Sequence, residues 1–296
     1  MPFTEQLEET RVKFFRFGTP GQERPGALDA SGTRRDISGV IGDLAGEQLD
    51  PAALSRLGRI DLSTLPTVPD DVRLGPCVGR VGHFIAVGVN YADHAAEAGF
   101  ATPKEPILFN KAPSCISGPF DPVTLPAGSV KSDWEVELAI VIGRDALYVS
   151  EESALDYVAG YCVCNDVSER ESQLEHGGQW VKGKMFPTFG PLGPWLVTKD
   201  EIADVQELKL WLELNGKKVQ DSSTNDMIFP IRKLVSYISQ FVALQPGDVI
   251  TTGTPPGVGL GMHPEVYLKA GDTMKLGIEG LGTQEQKVVN WADTQK

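Results

Sequence analysis

The apolar positions of this chain fall mainly into short runs that favour strands over helical stripes. Residues 13–17 form an apolar-aromatic run, and Gly18, Pro20 and Gly21 mark a turn after it. Residues 26–28 and 34–37 flank Asp29-Ala-Ser-Gly32, a pattern that predicts a hairpin. Asp50 and Pro51 open a short helix, Asp50 as its cap and Pro51 at the first helical position. Residues 65–71 carry Pro66 and Pro69, which break helix and ladder alike, and read as a linker. Beyond it, 81–89 predicts a strand, 91–98 a short helix, 134–142 a long strand and 161–165 another. Residues 208–214 alternate and end in Asn215-Gly216, a strong hairpin turn. Pro230 opens the best helix, with Ile231, Leu234, Val235, Ile238, Phe241 and Val242 at helical spacing. Residues 248–252 form a strand feeding a glycine-rich loop, and 168–173 are polar and helical. The glycines and prolines of 177–191 predict a loop. Many short strands and few helices give an α+β class, mostly β, as an antiparallel barrel or roll. A small N-terminal α+β unit is expected over 1–74 and a larger strand-rich unit over 75–296.

Charge narrows the partners. The 296 residues hold 27 Lys and Arg against 40 Asp and Glu, a net charge of −13, and no cluster of basic residues. Such a chain repels nucleic acid and anionic membranes. An anionic small-molecule substrate would need a metal or a local basic pocket. The four cysteines, Cys77, Cys115, Cys162 and Cys164, read as reduced thiols packed in a cytosolic core. Met1 to Gln6 lacks a basic region followed by an apolar stretch, and no run approaches a membrane span, so a cytoplasmic protein is expected.

The chemistry concentrates on a few segments. On a strand, Glu135 and Glu137 point the same way, roughly 7 Å apart at their Cβ atoms. A hard divalent cation would explain that pair; an edge strand carrying two solvated glutamates is the plainer alternative. Asp166 ends another apolar run and supplies a third carboxylate, although capping the next helix would also account for it. Three acids without histidine favour Mg²⁺, with Mn²⁺ or Ca²⁺ possible, over zinc or copper. His94 and Glu97 lie one helical turn apart, a general-base arrangement or an exposed polar pair. Spacing alone leaves Lys182 and Lys184 as surface charge. The loop from Gly253 to Gly261 lacks a Walker lysine, so it is a poor phosphate site, but its N–H groups and Thr254 could meet a carboxylate.

Five stretches together resemble the fumarylacetoacetate hydrolase superfamily: Gly88-Val-Asn-Tyr-Ala-Asp-His94, Trp134-Glu-Val-Glu-Leu138, Asn165-Asp-Val-Ser168, Lys182-Gly-Lys184 with Phe189-Gly-Pro-Leu-Gly-Pro194, and Leu244-Gln-Pro-Gly-Asp248 with Thr252-Gly-Thr-Pro-Pro-Gly-Val-Gly259. The resemblance implies a mixed β-roll, a homodimer or dimer-based oligomer, and a metal held by Glu135, Glu137 and Asp166. It also implies a His94–Glu97 dyad on a lid over 91–100, a catalytic Lys184, and contacts to an α-keto acid from Arg170, Gln173, Thr254 and Lys111. Ser168-Glu-Arg-Glu171, Gly177-Gly-Gln-Trp180 and Phe189-Gly-Pro-Leu-Gly-Pro-Trp-Leu-Val197 are similar to bacterial 2,4-diketo-3-deoxy-L-rhamnonate and L-fuconate hydrolases. The implied reaction is hydrolysis of the C3–C4 bond of a 2,4-diketo acid to pyruvate plus a hydroxy acid such as L-lactate, in L-rhamnose catabolism. An oxaloacetate-type decarboxylase, a keto-acid isomerase or a ureidoglycolate lyase would use the same site. One departure stands out: Lys184-Met-Phe-Pro187-Thr replaces the usual Lys-Ser-Phe-Asp-Thr, which predicts an altered pocket.

Overall fold

Alternating and continuous apolar runs become strands because pairing satisfies every backbone polar group while both faces pack. A computed structural model describes residues 12–97, 99 and 101–295. The leader reading of Met1 to Gln6, and Ala98 and Phe100 of the expected lid, lie outside the described residues. In chain order the strands begin with β1 (Lys13–Phe17), β2 (Arg24–Leu28), β3 (Arg34–Asp36), β4 (Phe84–Gly88) and β5 (Ile107–Lys111). Next come β6 (Ile116–Ser117), β7 (Val123–Leu125), β8 (Ser132–Asp133), β9 (Val136–Ile142), β10 (Val158–Asn165) and β11 (Ser168–Glu169). They close with β12 (Gly190–Thr198), β13 (Lys209–Leu214), β14 (Lys217–Ser223), β15 (Val249–Thr251), β16 (Thr273–Ile278) and β17 (Gly282–Asn290). The α-helices are α1 (Pro51–Gly58), α2 (Ala92–Glu97), α3 (Arg170–Leu174), α4 (Val181–Lys184) and α5 (Ile231–Ile238).

The fold is α+β and mostly sheet, as expected, with mixed rather than purely antiparallel pairing. The larger sheet follows the path β3-β2-β1-β12-β10-β9-β15-β4-β5, with β6 added beside β12. It is an open path ending at β3 and β5, not a closed barrel. Pairing is antiparallel except where β15 meets β4 and β12 meets β6. The second sheet, β14-β13-β16-β17-β7, contains the hairpin turning at Asn215-Gly216, both at positive φ. β9 runs between β10 and β15, and all seven of its residues are buried. Burying each Val, Leu or Ile there contributes roughly 1.5–3 kcal/mol, a reserve against which charged groups can be desolvated.

Local expectations hold where capping and periodicity decide. The Asp50 carboxylate accepts from Ala52 N at 2.8 Å and starts α1. Ile231, Leu234, Val235 and Ile238 form the buried stripe of α5. That stripe ends sooner than expected: Phe241 lies past the helix, 67% exposed, with its ring against Tyr237. Residues 177–191 are not one loop, since they contain α4 and the start of β12. β12 admits Pro194 because the β10 ladder shifts register between Tyr161 and Val163, opposite Gly193. Residues 65–71 are also tied down: Val68 donates to Arg34 O at 2.9 Å and is buried. The N-terminal hairpin joins the large sheet directly, with Phe14 opposite Leu196 across β1 and β12.

Candidate active site

The strand pairing at the centre of the large sheet assembles the acids. Asn165 at the end of β10 stands opposite Val136 at the start of β9, and Asp166 N donates to Glu135 O at 2.9 Å. Glu135, Glu137 and Asp166 therefore converge, with ligand-capable atoms all within 4.8 Å of one another. All three are buried. The edge-strand alternative fails because β9 has a neighbour on each side. The capping alternative for Asp166 fails as well: α3 is capped by Glu169, which accepts from Ser172 N at 2.7 Å.

Three buried cations answer these acids. Lys184 Nζ donates to Glu135 Oε2 at 2.6 Å and to Asp166 Oδ2 at 2.9 Å. It is 2% exposed, so the surface reading from spacing was wrong; the last turn of α4 points it inward. Lys182 alone behaves as surface charge, donating to His176 O. Lys111 Nζ donates to Asp166 Oδ1 at 2.5 Å and to Lys184 O at 2.6 Å, standing outside the cavity wall. Arg170 Nε donates to Asp133 Oδ2 at 2.8 Å, and its Nη1 donates to Gln173 Oε1 at 3.0 Å. Arg170 Nη2 lies 2.8 Å from both Asp133 Oδ2 and Glu135 Oε1 as an ion pair, but without hydrogen-bond geometry.

The electrostatics separate the two glutamates. Burial pushes the Glu135 carboxyl up, but the adjacent Lys184, Arg170 and His94 outweigh it and hold it at about 2. Glu137 goes the other way: burial, with Asp166 and Glu135 nearby, raises it well above the usual carboxylate range. Its Oε2 accepts from Gly253 N at 2.9 Å, and it makes no ion pair among the described residues. Lys111 is held charged, since Asp166 outweighs the effect of burial. Among the described residues, Asp133, Glu135 and Asp166 form their ion pairs with Lys111, Arg170 and Lys184, and Glu137 forms none, so four acids meet three cations. The surplus carboxylate, all-oxygen donors and close convergence suit a hard divalent ion.

The glycine-rich loop serves as a rack for the protein's own carboxylates. Gly253 N reaches Glu137, and Gly257 N donates to both Glu97 oxygens at 3.0 Å. Gly259 N and Leu260 N donate to the two oxygens of Asp133 at 2.7 and 3.0 Å. Gly257 sits at φ +104°, where a Cβ would lie 1.8 Å from Val219 O, so only glycine fits. Glu97 in turn lies 3.4 Å from His94 Nδ1 across α2, completing the expected pair. Thr254 Oγ1 donates to Val136 O at 3.0 Å and accepts from Gln220 Nε2 at 2.9 Å, so its hydrogen stays within the fold. Asp133 was not singled out in the sequence, although it continues the alternation of Glu135 and Glu137 one step earlier.

His94, Glu135, Glu137, Arg170, Lys184 and Thr254 line one cavity of about 30 Å³, with Gln173 and several apolar side chains. Space of that size holds a water or two, so a larger molecule enters only as the lining moves apart. Pro187, which stands where the usual motif has an acid, is exposed and outside the cavity wall.

Known proteins share this arrangement of elements. The family model for the fumarylacetoacetate hydrolase C-terminal region matches residues 83–289. A putative hydrolase of Burkholderia multivorans is 60% identical over 93% of this chain and 98% of its own. The structure of a fumarylacetoacetate hydrolase from Exiguobacterium antarcticum superposes with TM-score 0.84 at 38% identity, covering 94% of this chain and 99% of that one. A maleylpyruvate hydrolase from Sphingobium sp. SYK-6, in complex with manganese(II) and pyruvate, gives TM-score 0.78 at 30% identity over 94% and 99%. No helix among the described residues is long and apolar enough to cross a membrane. The matched span contains every acid, cation and dyad residue described above, and this chain is an enzyme of the fumarylacetoacetate hydrolase family.

Proposed function

We propose that this enzyme is a divalent-metal-dependent hydrolase that cleaves the C3–C4 bond of a 2,4-diketo acid and releases pyruvate. The observation that carries the reading is a single cavity faced by both the Glu135–Glu137 pair and His94, itself oriented by Glu97. Within that class the substrate is a deoxy sugar acid such as 2,4-didehydro-3-deoxy-L-rhamnonate, giving L-lactate as the second product. Catalysis resides in the unit 75–296, with 1–74 a smaller N-terminal unit, in a cytoplasmic homodimer or dimer-based oligomer.

Glu135, Glu137 and Asp166 would hold Mg²⁺ or Mn²⁺, which when bound stabilises negative charge developing on the keto-acid oxygen. Arg170, whose Nη2 lies 2.8 Å from both Asp133 Oδ2 and Glu135 Oε1, adds positive charge to the wall that the substrate carboxylate meets. Lys184 and Gln173 border the same space, while Lys111 keeps Asp166 in place from behind. His94 Nδ1 faces Glu97, which leaves Nε2 to take a proton from water as it adds to the C4 carbonyl. Breaking C3–C4 then leaves the electron pair on C3, which is protonated to pyruvate, while C4 departs as a carboxylic acid. The manganese and pyruvate of the maleylpyruvate hydrolase support this reading by analogy.

The test is a panel of 2,4-diketo acids with Mn²⁺- or Mg²⁺-loaded enzyme, following pyruvate by a coupled dehydrogenase. Pyruvate and a carboxylic acid should appear together. Decarboxylation of oxaloacetate with no cleavage of any diketo acid would replace this reading with the decarboxylase one.

A further inference from the structure

The polar floor of the cavity faces a wall of a different kind. Val87, Val89, Phe109, Leu174, Trp180 and Leu260 also line the cavity, and none carries a charge. The cations in the lining are Arg170 and Lys184, both paired with buried carboxylates, and His94 is engaged with Glu97. Trp180 is the largest side chain among them. Its ring lies over Gly88 at the end of β4, where a Cβ would come within 2.3 Å of the indole, so only glycine lets it seat there. Its outer edge meets the Phe109 ring at 5.8 Å and 67°. Lys184 Nζ lies over the Phe109 ring, 5.2 Å from its centroid. The indole is therefore fixed from two directions.

We infer that Trp180 determines specificity by closing an uncharged wall around the distal end of the substrate. The acid it admits carries one carboxylate, bound at the polar floor, and a short neutral tail. A second carboxylate would be desolvated against indole and aliphatic carbon with no cation to meet it. The inference deepens the α-keto-acid reading above and rests on it.

Two five-carbon keto acids separate the possibilities. 2-Oxopentanoate and 2-oxoglutarate share the same head and chain length and differ in a terminal methyl or carboxylate. Calorimetric titration of Mn²⁺-loaded protein measures both without turnover. 2-Oxopentanoate should bind at least about tenfold more tightly, the scale on which a pocket rejects a misfit group. Trp180→Arg, which supplies a cation to the wall, should narrow or reverse that ratio. Leu260→Arg on the same wall should do so too, and it covers the case in which the first variant fails to fold. Equal or tighter binding of 2-oxoglutarate by the unaltered protein overturns the wall, and an unchanged ratio in both variants overturns the part given to Trp180. If Mn²⁺ binds and neither acid does, the keto-acid reading itself falls.

Discussion

Glu137 and Lys111 show how differently two buried charges behave within one site. The raised Glu137 carboxyl binds its proton more tightly in the folded, metal-free chain than in the unfolded one. The stability this linkage contributes is fully present below the ordinary carboxylate range and is lost as pH rises through the raised value. Metal-free protein should therefore lose thermal stability with rising pH more steeply than Glu137→Gln. With Mn²⁺ added, the unaltered chain should gain stability by mass action while the variant gains little. Parallel melting profiles for the two proteins would refute this. Lys111, in contrast, is held charged by Asp166, and both side chains are 0% exposed. Lys184 still meets the other oxygen of Asp166, so Lys111→Met leaves one buried oxygen unpaired and should lower metal-free stability by about 1–3 kcal/mol in urea titrations. A loss below 1 kcal/mol would mean that water reaches Asp166.

At the scale of elements, two short pieces of chain are held by few but directed contacts. The loop from Gly253 to Gly261 hangs on Glu137, Glu97 and Asp133. Asp133 also accepts from Trp134 N and Arg170, so Asp133→Ala frees several buried donors, each costing about 1–3 kcal/mol. Hydrogen exchange at Gly259 and Leu260 should accelerate in that variant; unaltered exchange would show that the loop is held by other contacts. α2 is six residues long and meets the same loop through Glu97. His94→Ala should reduce diketo-acid cleavage by about 10² to 10⁴-fold, with Glu97→Gln less severe, because only the first removes the base. Decarboxylation of oxaloacetate needs no activated water and should fall less. Equal losses in both reactions would assign His94 to binding or closure.

Across the whole molecule, the N-terminal segment and the site-bearing segment share one sheet. Phe14 pairs across to Leu196 on β12, Phe15 packs edge-on to Trp195, and Arg73 bridges Glu23 and Asp121. Phe14 and Phe15 are fully buried, each contributing roughly 1.5–3 kcal/mol. The full chain should unfold in one transition in calorimetry. A fragment of 75–296 holds every site residue but exposes the β12 edge, and should be markedly less stable or aggregate. Two separate transitions, or a fragment as stable as the whole, would show that the two parts fold independently. The net charge of −13 conceals the arrangement that matters. Basic residues are scarce along the chain, yet three of them meet around four acids in its interior.

Periodicity and turn chemistry in the sequence determined the central strands, the Asn215-Gly216 hairpin, the start of α1 and the shared direction of Glu135 and Glu137. Each follows from residues a few positions apart, whose side-chain directions the local backbone dictates. Burial is another matter. Lys184 passes for a surface lysine until 49 positions of chain return it to Glu135, and Asp166 passes for a cap until β10 pairs with β9. The glycine-rich loop could be seen to offer N–H groups to a carboxylate, but not that Glu137, Glu97 and Asp133 would take them. Asp133 lay on the same alternating face as the two glutamates, but the value of a buried acid depends on partners 37 and 126 positions away. Apart from the family resemblance, which already pointed to Lys184 and Asp166, only tertiary structure decides these assignments, because the cost of desolvating a charge depends on what the rest of the chain brings to meet it.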